Sequence, residues 1–425
     1  MVINNNSDDD NFLSLFTGMF EQDLPEARRG YSNSAPVDRW PWIFKALKSR
    51  GYATMFSEDM PGYGAFTYRM HGFKEPPTDH FSRYFWEAAK LTSPYCIRAT
   101  PQHRMHFNYI ESFFDSYPNT PKFGFSFLTE VSHNNLHSVF YAGKDFLQLL
   151  KTFQAKQYLN STMFIVLGDH GFRYGDARAT LQGKLEERLP LLSVTVPAWF
   201  EKLYPELFQN LKKNSEKITS PFDLHVTLHH LLAYPQRHTN ASIGISLLDN
   251  IPVSRDCKQA GVAEHYCPCL HLKQVDKTHA HIQKGAETVV KFINNLTSAD
   301  ERSAKLCHRL HLDEILTGYQ QNQNQKFQRY LGSADEDGRI PAFAEGNVRA
   351  DECNYQVQIR TNPGGGLFEA PLRLHNGRFT VAGDISRINM YGEQPRCILD
   401  SRPDLRKYCL CKDYVENDSP TKQHR

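Results

Sequence analysis

Long apolar runs are missing from this chain. None approaches the roughly 18 residues that a membrane-spanning helix needs, and the opening MVINNNSDDDNF has neither the basic nor the apolar segment of a signal peptide. An excess of one charge is missing too. Lysine plus arginine total 49 against 47 for aspartate plus glutamate, a formal net charge of +2. No global field therefore argues for nucleic acid or an anionic membrane as partner, and any anion binding must be local. The glycine run in NPGGG lacks the Lys-Ser or Lys-Thr of a phosphate loop. Repeats, heptads and low-complexity tracts are absent apart from an acidic SDDD and a polar tail.

Cysteine is scarce in the first 250 residues, where Cys96 stands alone, and dense afterwards. Eight of the nine lie beyond that point: Cys257, Cys267, Cys269, Cys307, Cys353, Cys397, Cys409 and Cys411. This distribution fits a disulfide-stapled extracellular module. The cluster His265-Tyr266-Cys267-Pro268-Cys269-Leu270-His271 could instead hold zinc, but C-x-C is tighter than the usual spacing of a structural site, and disulfides are the expected use. Five N-x-S/T sequons, at Asn5, Asn160, Asn240, Asn295 and Asn417, point the same way. The chain reads as extracellular or secretory-pathway lumenal, its targeting segment lying outside this sequence.

With 425 residues and 40 % hydrophobic content, the chain can bury a full core. WIFKALKSR (42–50) reads as a helix running through Gly51 into YATMFSED, a strand. FGFSFLTE (123–130) reads as a second strand. DFLQLLKTFQAKQYL then places Phe146, Leu149, Leu150 and Phe153 on one helical face and leads into TMFIVLG, an apolar run typical of a strand buried on both sides. The alternation predicts an α/β fold, a mostly parallel sheet sandwiched by helices, over residues 1–240. Residues 241–425 read as a helical connector, covering 271–330, and a smaller β-rich, disulfide-stapled module. In that module YQVQIRT, APLRLH and RFTVAG alternate like antiparallel strands.

In an α/β sheet the functional groups project from the carboxyl ends of strands. Asp169 and His170 sit at such an end, between Gly168 and Gly171, which permit the tight exit that aims both side chains at one point. Carboxylate oxygen and imidazole nitrogen are both zinc ligands, although an isolated Asp-His pair also fits a loop with a hydrogen-bonded histidine.

The segment G-D-H-G-F-R-Y-G, followed by Q-G-K-L-E-E-R-L-P-L-L, resembles the alkaline phosphatase and sulfatase superfamily. In that superfamily an acid-histidine pair after a buried strand ligates the catalytic metal, and a G-K…E-x-x-R-x-P-like element follows. The likeness continues in the helix-G-Y-strand at 42–59, in PFDLHVTLHHLL at 221–232, and in RDCKQAG, YCPC, GDISRINMYG and RKYCLC. Those later stretches look like a little-characterised sulfatase-like branch of animal proteins.

What the resemblance implies is a metal-dependent hydrolase of phosphate or sulfate esters. Asp169 and His170 match the paired metal ligands, with a divalent metal, zinc, as cofactor. His133 in TEVSHNNLH matches a metal ligand or substrate-binding histidine; with His137 one helical turn later it also fits a satisfied loop. Lys184 falls where relatives place an anion-contacting lysine, and its charged GKLEER run also fits a solvated face. His225 in PFDLH fits the start of a helix, with Asp223 near the N-terminal cap.

Relatives carry Ser, Thr or a modified Cys shortly before an L-x-T-G-like turn. The matching stretch here is NNNSDDDNFLSLFTG. Ser7 is the candidate nucleophile, one residue farther from the turn than the pattern wants, with Asp8 at the expected position; an exposed polar N-terminus fits equally. The C-x-P-x-R sequence of formylglycine sulfatases occurs nowhere, so a hydroxyl nucleophile and a phosphate ester fit better than a sulfate ester. The family also opens with a strand ending in a metal-ligand aspartate, for which this chain begins too late. The expectation is an N-terminally truncated chain whose activity that loss impairs. The alternative is an inactive extracellular binding module that keeps the fold.

Overall fold

The computed structural model describes residues 1–3, 8–90, 95–133, 138–174, 178, 181–236, 243–269, 272–321, 328–333, 341–347 and 353–417. For residues 8–10, 90, 181, 328–333, 341–347, 353 and 415–417 it describes the backbone alone.

Helix α1 (Asp8–Thr17) buries Phe12, Leu13, Leu15 and Phe16. Helix α2 (Ile43–Ser49) ends at Arg50-Gly51, where Gly51 adopts φ +80° and turns the chain into strand β1 (Ala53–Glu58). Only glycine takes that left-handed step at little cost. Strand β1 is buried along its whole length. It pairs in parallel with β2 (His80–Phe81) on one side and β3 (Lys122–Phe127) on the other.

Helices α3 (Arg83–Lys90), α4 (Gln102–Ser116) and α5 (Val139–Ala155) flank this sheet. Ala53 and Met55 pack with Phe107, Phe113, Phe114, Leu149 and Phe153 of α4 and α5. Phe56 packs on the opposite side with Phe12, Phe16 and Phe44 of α1 and α2. The period-2 alternation of strand side chains thus splits one apolar run between two cores. The parallel sheet between helices is as expected.

The TMFIVLG run departs from expectation in its pairing. Strand β4 (Phe164–Leu167) is half-buried and pairs antiparallel with β5 (Leu192–Thr195), from Phe164↔Thr195 to Leu167↔Leu192. Its side chains still split between the cores, Phe164 toward α5, Ile165 and Leu167 toward α1. It extends the layer while its hydrogen bonds go to a strand one helix downstream. That helix is α6 (Leu181–Arg188). Helix α7 (Pro221–Ala233) opens with a reciprocal capping box between Ser220 and Asp223. Both Asp223 oxygens also accept from Arg255 at 2.8 and 2.9 Å, so the expected cap is also a buried ion pair.

The C-terminal module is an antiparallel sheet crossed by one helix. Strands β6 (Leu272–Val275), β7 (His311–Gln321), β8 (Cys353–Asn362), β9 (Gly366–His375) and β10 (Arg378–Val381) pair in sequence order. Helix α8 (Ala280–Thr297) lays Ile282, Ala286, Val289 and Ile293 onto Val357, Ile359, Phe368 and Ala370, the spacing of an amphipathic face. The helical reading of 271–330 therefore holds for α8 and a short helix at Glu301–Leu306, and fails for LKQV, which is β6, and for HLDEILTGYQQ. That segment is a central strand because β6 and β8, both remote in sequence or separated by a helix, pair with its two edges.

Disulfides join Cys257–Cys267, Cys307–Cys409 and Cys397–Cys411. Cys267 thus takes the disulfide over zinc. Cys96 is half-buried, and Cys269 is an exposed free thiol. Sequon residues Asn160 and Asn295 are exposed; Asn5 and Asn240 lie outside the described residues, as does the Asn417 side chain. Among the described residues no helix is long and apolar enough to cross a membrane.

Candidate functional site

Strand β4 delivers its acid-histidine pair against α6. Gly171 donates its N–H to Glu187 O at 2.9 Å, and a Cβ there would meet Glu186 O at 2.1 Å. No other residue fits, so the second glycine of G-D-H-G is a packing requirement. Asp169 Oδ2 and His170 Nε2 stand 3.4 Å apart, each side chain under 15 % exposed. His170 Nδ1 lies 2.6 Å from Gly171 O. A carbonyl only accepts, so Nδ1 donates to it, and Nε2 is the ring nitrogen turned toward the carboxylate. With the ring neutral, a carboxylate oxygen and an imidazole nitrogen so placed suit a shared cation, and the backbone bond to the far ring nitrogen is the arrangement that orients a ligating histidine.

The pair lines a cleft with a cavity volume of about 170 Å³. Phe127, Thr129, Ser132 and His133 form one side, Val139 the head of α5, and Phe172, Arg173 and Tyr174 the continuation of the G-D-H-G loop. His133 donates its backbone N–H to Thr129 O at 2.9 Å, and its ring packs 5.3 Å from that of Tyr63. The structure thus brings His133 to the same cleft as Asp169 and His170. It does not make a tight trio of them: among the described residues, donor sets mutually within 4.8 Å occur at Cys257, Cys267 and Cys269 and at Cys397, Cys409 and Cys411. Both are disulfide neighbourhoods.

Lys184 lies elsewhere. It is buried on α6, where its Nζ donates to Gln356 Oε1 and stands 3.8 Å from Glu369 Oε1. Burial, reinforced by Arg188 and Arg178, pushes its pKa down to about 7 against the pull of Glu369. It is absent from the cleft lining and, instead of a solvated face, occupies a buried polar junction with the C-terminal module. His225 is likewise structural, its Nδ1 3.0 Å from Leu15 O. Ser7 and His137 lie outside the described residues, and of Asp8 the backbone alone is described.

Three groups escaped the sequence reading, two that line the cleft and one that braces it. Arg173 and Tyr174 stand three and four residues past His170 and line the cleft, and adjacency alone could have nominated them. Asp59 obeys the very rule that found Asp169, an acid just past the carboxyl end of a buried strand. Its oxygens accept from Thr129 N at 2.7 Å and Glu130 N at 3.2 Å, anchoring the loop that carries Thr129, Ser132 and His133 into the cleft.

Burial raises the Asp59 carboxyl to about 7, against those hydrogen bonds. Between its unfolded value near 3.9 and this folded value the native state binds the proton more tightly, so the stabilisation is full below about pH 4 and is lost as pH rises through about 7. Asp59→Asn should remove that decline and gain on the order of 4 kcal/mol over wild type above pH 7. Urea midpoints of both proteins at pH 5 and pH 8 test this, and a constant difference between them would refute it.

A family model described as "Protein of unknown function (DUF229)" matches residues 2–316, which span the α/β domain and run into the C-terminal sheet. No curated protein and no solved structure matches the chain.

Proposed function

The chain belongs to the DUF229 family of proteins of unknown function, and from that premise we propose that it is a sulfatase-like, metal-dependent hydrolase acting on a phosphate ester, with sulfate esters the poorer substrates. The observation that carries this reading is the Asp169–His170 pair, its carboxylate oxygen and Nε2 3.4 Å apart and its histidine oriented by Gly171 O. Asp169 and His170 would hold a divalent cation, zinc, which when bound supplies Lewis acidity toward an ester oxygen. Arg173, which lines the same cleft, would make the anion contact in place of the buried Lys184. His133 faces the same space and orients the ester or moves a proton. Ser7 stays the candidate nucleophile by resemblance alone. The disulfides and the absence of a spanning helix among the described residues accord with a secretory location.

The burial of Lys184 favours one alternative, an inactive module that binds an anion in the same cleft. Expression through a secretory pathway, metal analysis by mass spectrometry, and assays with p-nitrophenyl phosphate and p-nitrophenyl sulfate separate the two. Stoichiometric zinc with chelator-sensitive phosphatase activity exceeding sulfatase activity is the expected outcome. Metal-free protein without turnover would leave the binding module.

A further inference from the structure

Helix α5 begins at the cleft. Val139 lines the cavity and is also 52 % exposed; Phe140 and Tyr141, the next two residues, are 86 % and 73 % exposed. Exposed apolar residues are ordinary when scattered, but three in succession beside a charged cavity form a patch. Consecutive helical residues lie about 100° apart. These three therefore fan around the first turn of α5 and offer no straight stripe for a partner helix to cover. Across the cavity the half-exposed Tyr63 ring packs on His133, and Phe127 and Phe172 line the interior. The cleft thus combines the charged Asp169 and Arg173 and the imidazole of His170 with the polar Thr129 and Ser132 and the apolar Phe127, Val139 and Phe172.

We propose that the cleft takes an anionic amphiphile, a phosphate ester whose alcohol carries an alkyl chain. The head sits against Asp169, His170 and Arg173, and the chain lies over Val139, Phe140 and Tyr141. The assignment rests on the ester-hydrolase reading of the same cleft and adds to it the chemistry of the leaving group. Arg173 and the cation that Asp169 and His170 would hold attract the head, and Val139, shared by cavity and patch, makes the two surfaces continuous. A flexible chain conforms to a fanned helix end, whereas a rigid ring would touch one side chain of the three.

The test is calorimetric titration of the full, zinc-supplemented chain with alkyl phosphonates from butyl to decyl, each below its micellar concentration. The phosphonates are not hydrolysed, so binding is read apart from turnover. Affinity should rise about twofold per methylene, the effect of half a methylene's full transfer free energy. The slope should flatten in a Phe140→Ser/Tyr141→Ser variant. Both side chains are exposed, so the variant should fold; if it does not, the wild-type slope decides alone. Affinity independent of chain length, or no phosphonate binding at all, would overturn the inference. So would binding to phosphatidylserine vesicles without any dependence on monomer chain length, which would make the patch a membrane contact.

Turnover of p-nitrophenyl phosphate, measured alongside, keeps the two readings distinct. Turnover with a flat phosphonate series would sink the amphiphile and spare the hydrolase. A steep series without turnover would do the reverse.

Discussion

Asp169→Ala is expected to strip the chain of stoichiometric zinc and to lower kcat/KM for a phosphate ester by on the order of 10³-fold, the upper range for removing one electrostatic stabiliser from an active site. Losing a mere orienting partner of a ligand already costs about 10–100-fold in metal affinity or activity, so a ligand itself should cost more. The fold should survive. Asp169 is a loop residue past the end of β4 with a partly exposed side chain, and the turn is fixed by Gly171 packing on α6 rather than by the carboxylate. Asp169→Asn isolates the charge, since it keeps the shape and should lose metal nearly as completely. Unchanged zinc content in both variants would mean that Asp169 only pairs with His170, and the cleft would no longer support a metal-dependent reaction.

The contrast between Asp169 and Lys184 shows what could be read in advance and what could not. A carboxylate after an apolar strand, bracketed by glycines, reports its own location, because strand ends and tight exits are encoded within a few residues. Asp223 as a helix cap is local in the same sense, and the structure shows that cap. Lys184 is not local. In GKLEER it reads as one charge in a solvated run, yet the partners that bury it, Gln356 and Glu369, come from strands β8 and β9, more than 170 residues away. Partners outside the segment also hid β7, whose HLDEILTGYQQ sequence lacks a clear alternation and becomes a strand through its neighbours. Asp59 was legible by the rule applied to Asp169. Arg173 was legible by adjacency.

Glu369→Gln should be the most destabilising single change at the junction between the two halves of the chain. The Glu369 carboxylate is fully buried and accepts from Arg178 at 3.1 and 3.2 Å, from Arg188 at 3.0 Å, and from Gln356 and Gln358 at 2.9 Å each. Burial opposes its charge, but Arg178, then Lys184 and Arg188, hold its pKa well below the usual carboxylate range. Arg178 also meets Glu187 at 2.6 Å, a close ion pair without hydrogen-bond alignment. Two arginines thus face two glutamates, and Lys184, near neutrality in its own titration, adds at most part of a charge.

Removing Glu369 leaves one buried guanidinium charge uncompensated, and breaking a buried pair in this way costs about 3–5 kcal/mol. That is a large share of the roughly 5–15 kcal/mol that holds a typical domain together. Urea unfolding should show the loss, and secreted yield should fall with it. Lys184→Met is the informative comparison: it deletes a group that folding already drives toward neutrality and puts an apolar side chain of similar length in its place, so it should cost about 1 kcal/mol, the worth of one hydrogen bond. Equal losses for the two variants would mean that Lys184 is fully charged and as necessary as Glu369. An intact fold with kcat lost in Lys184→Met would return the lysine to the chemistry of the cleft.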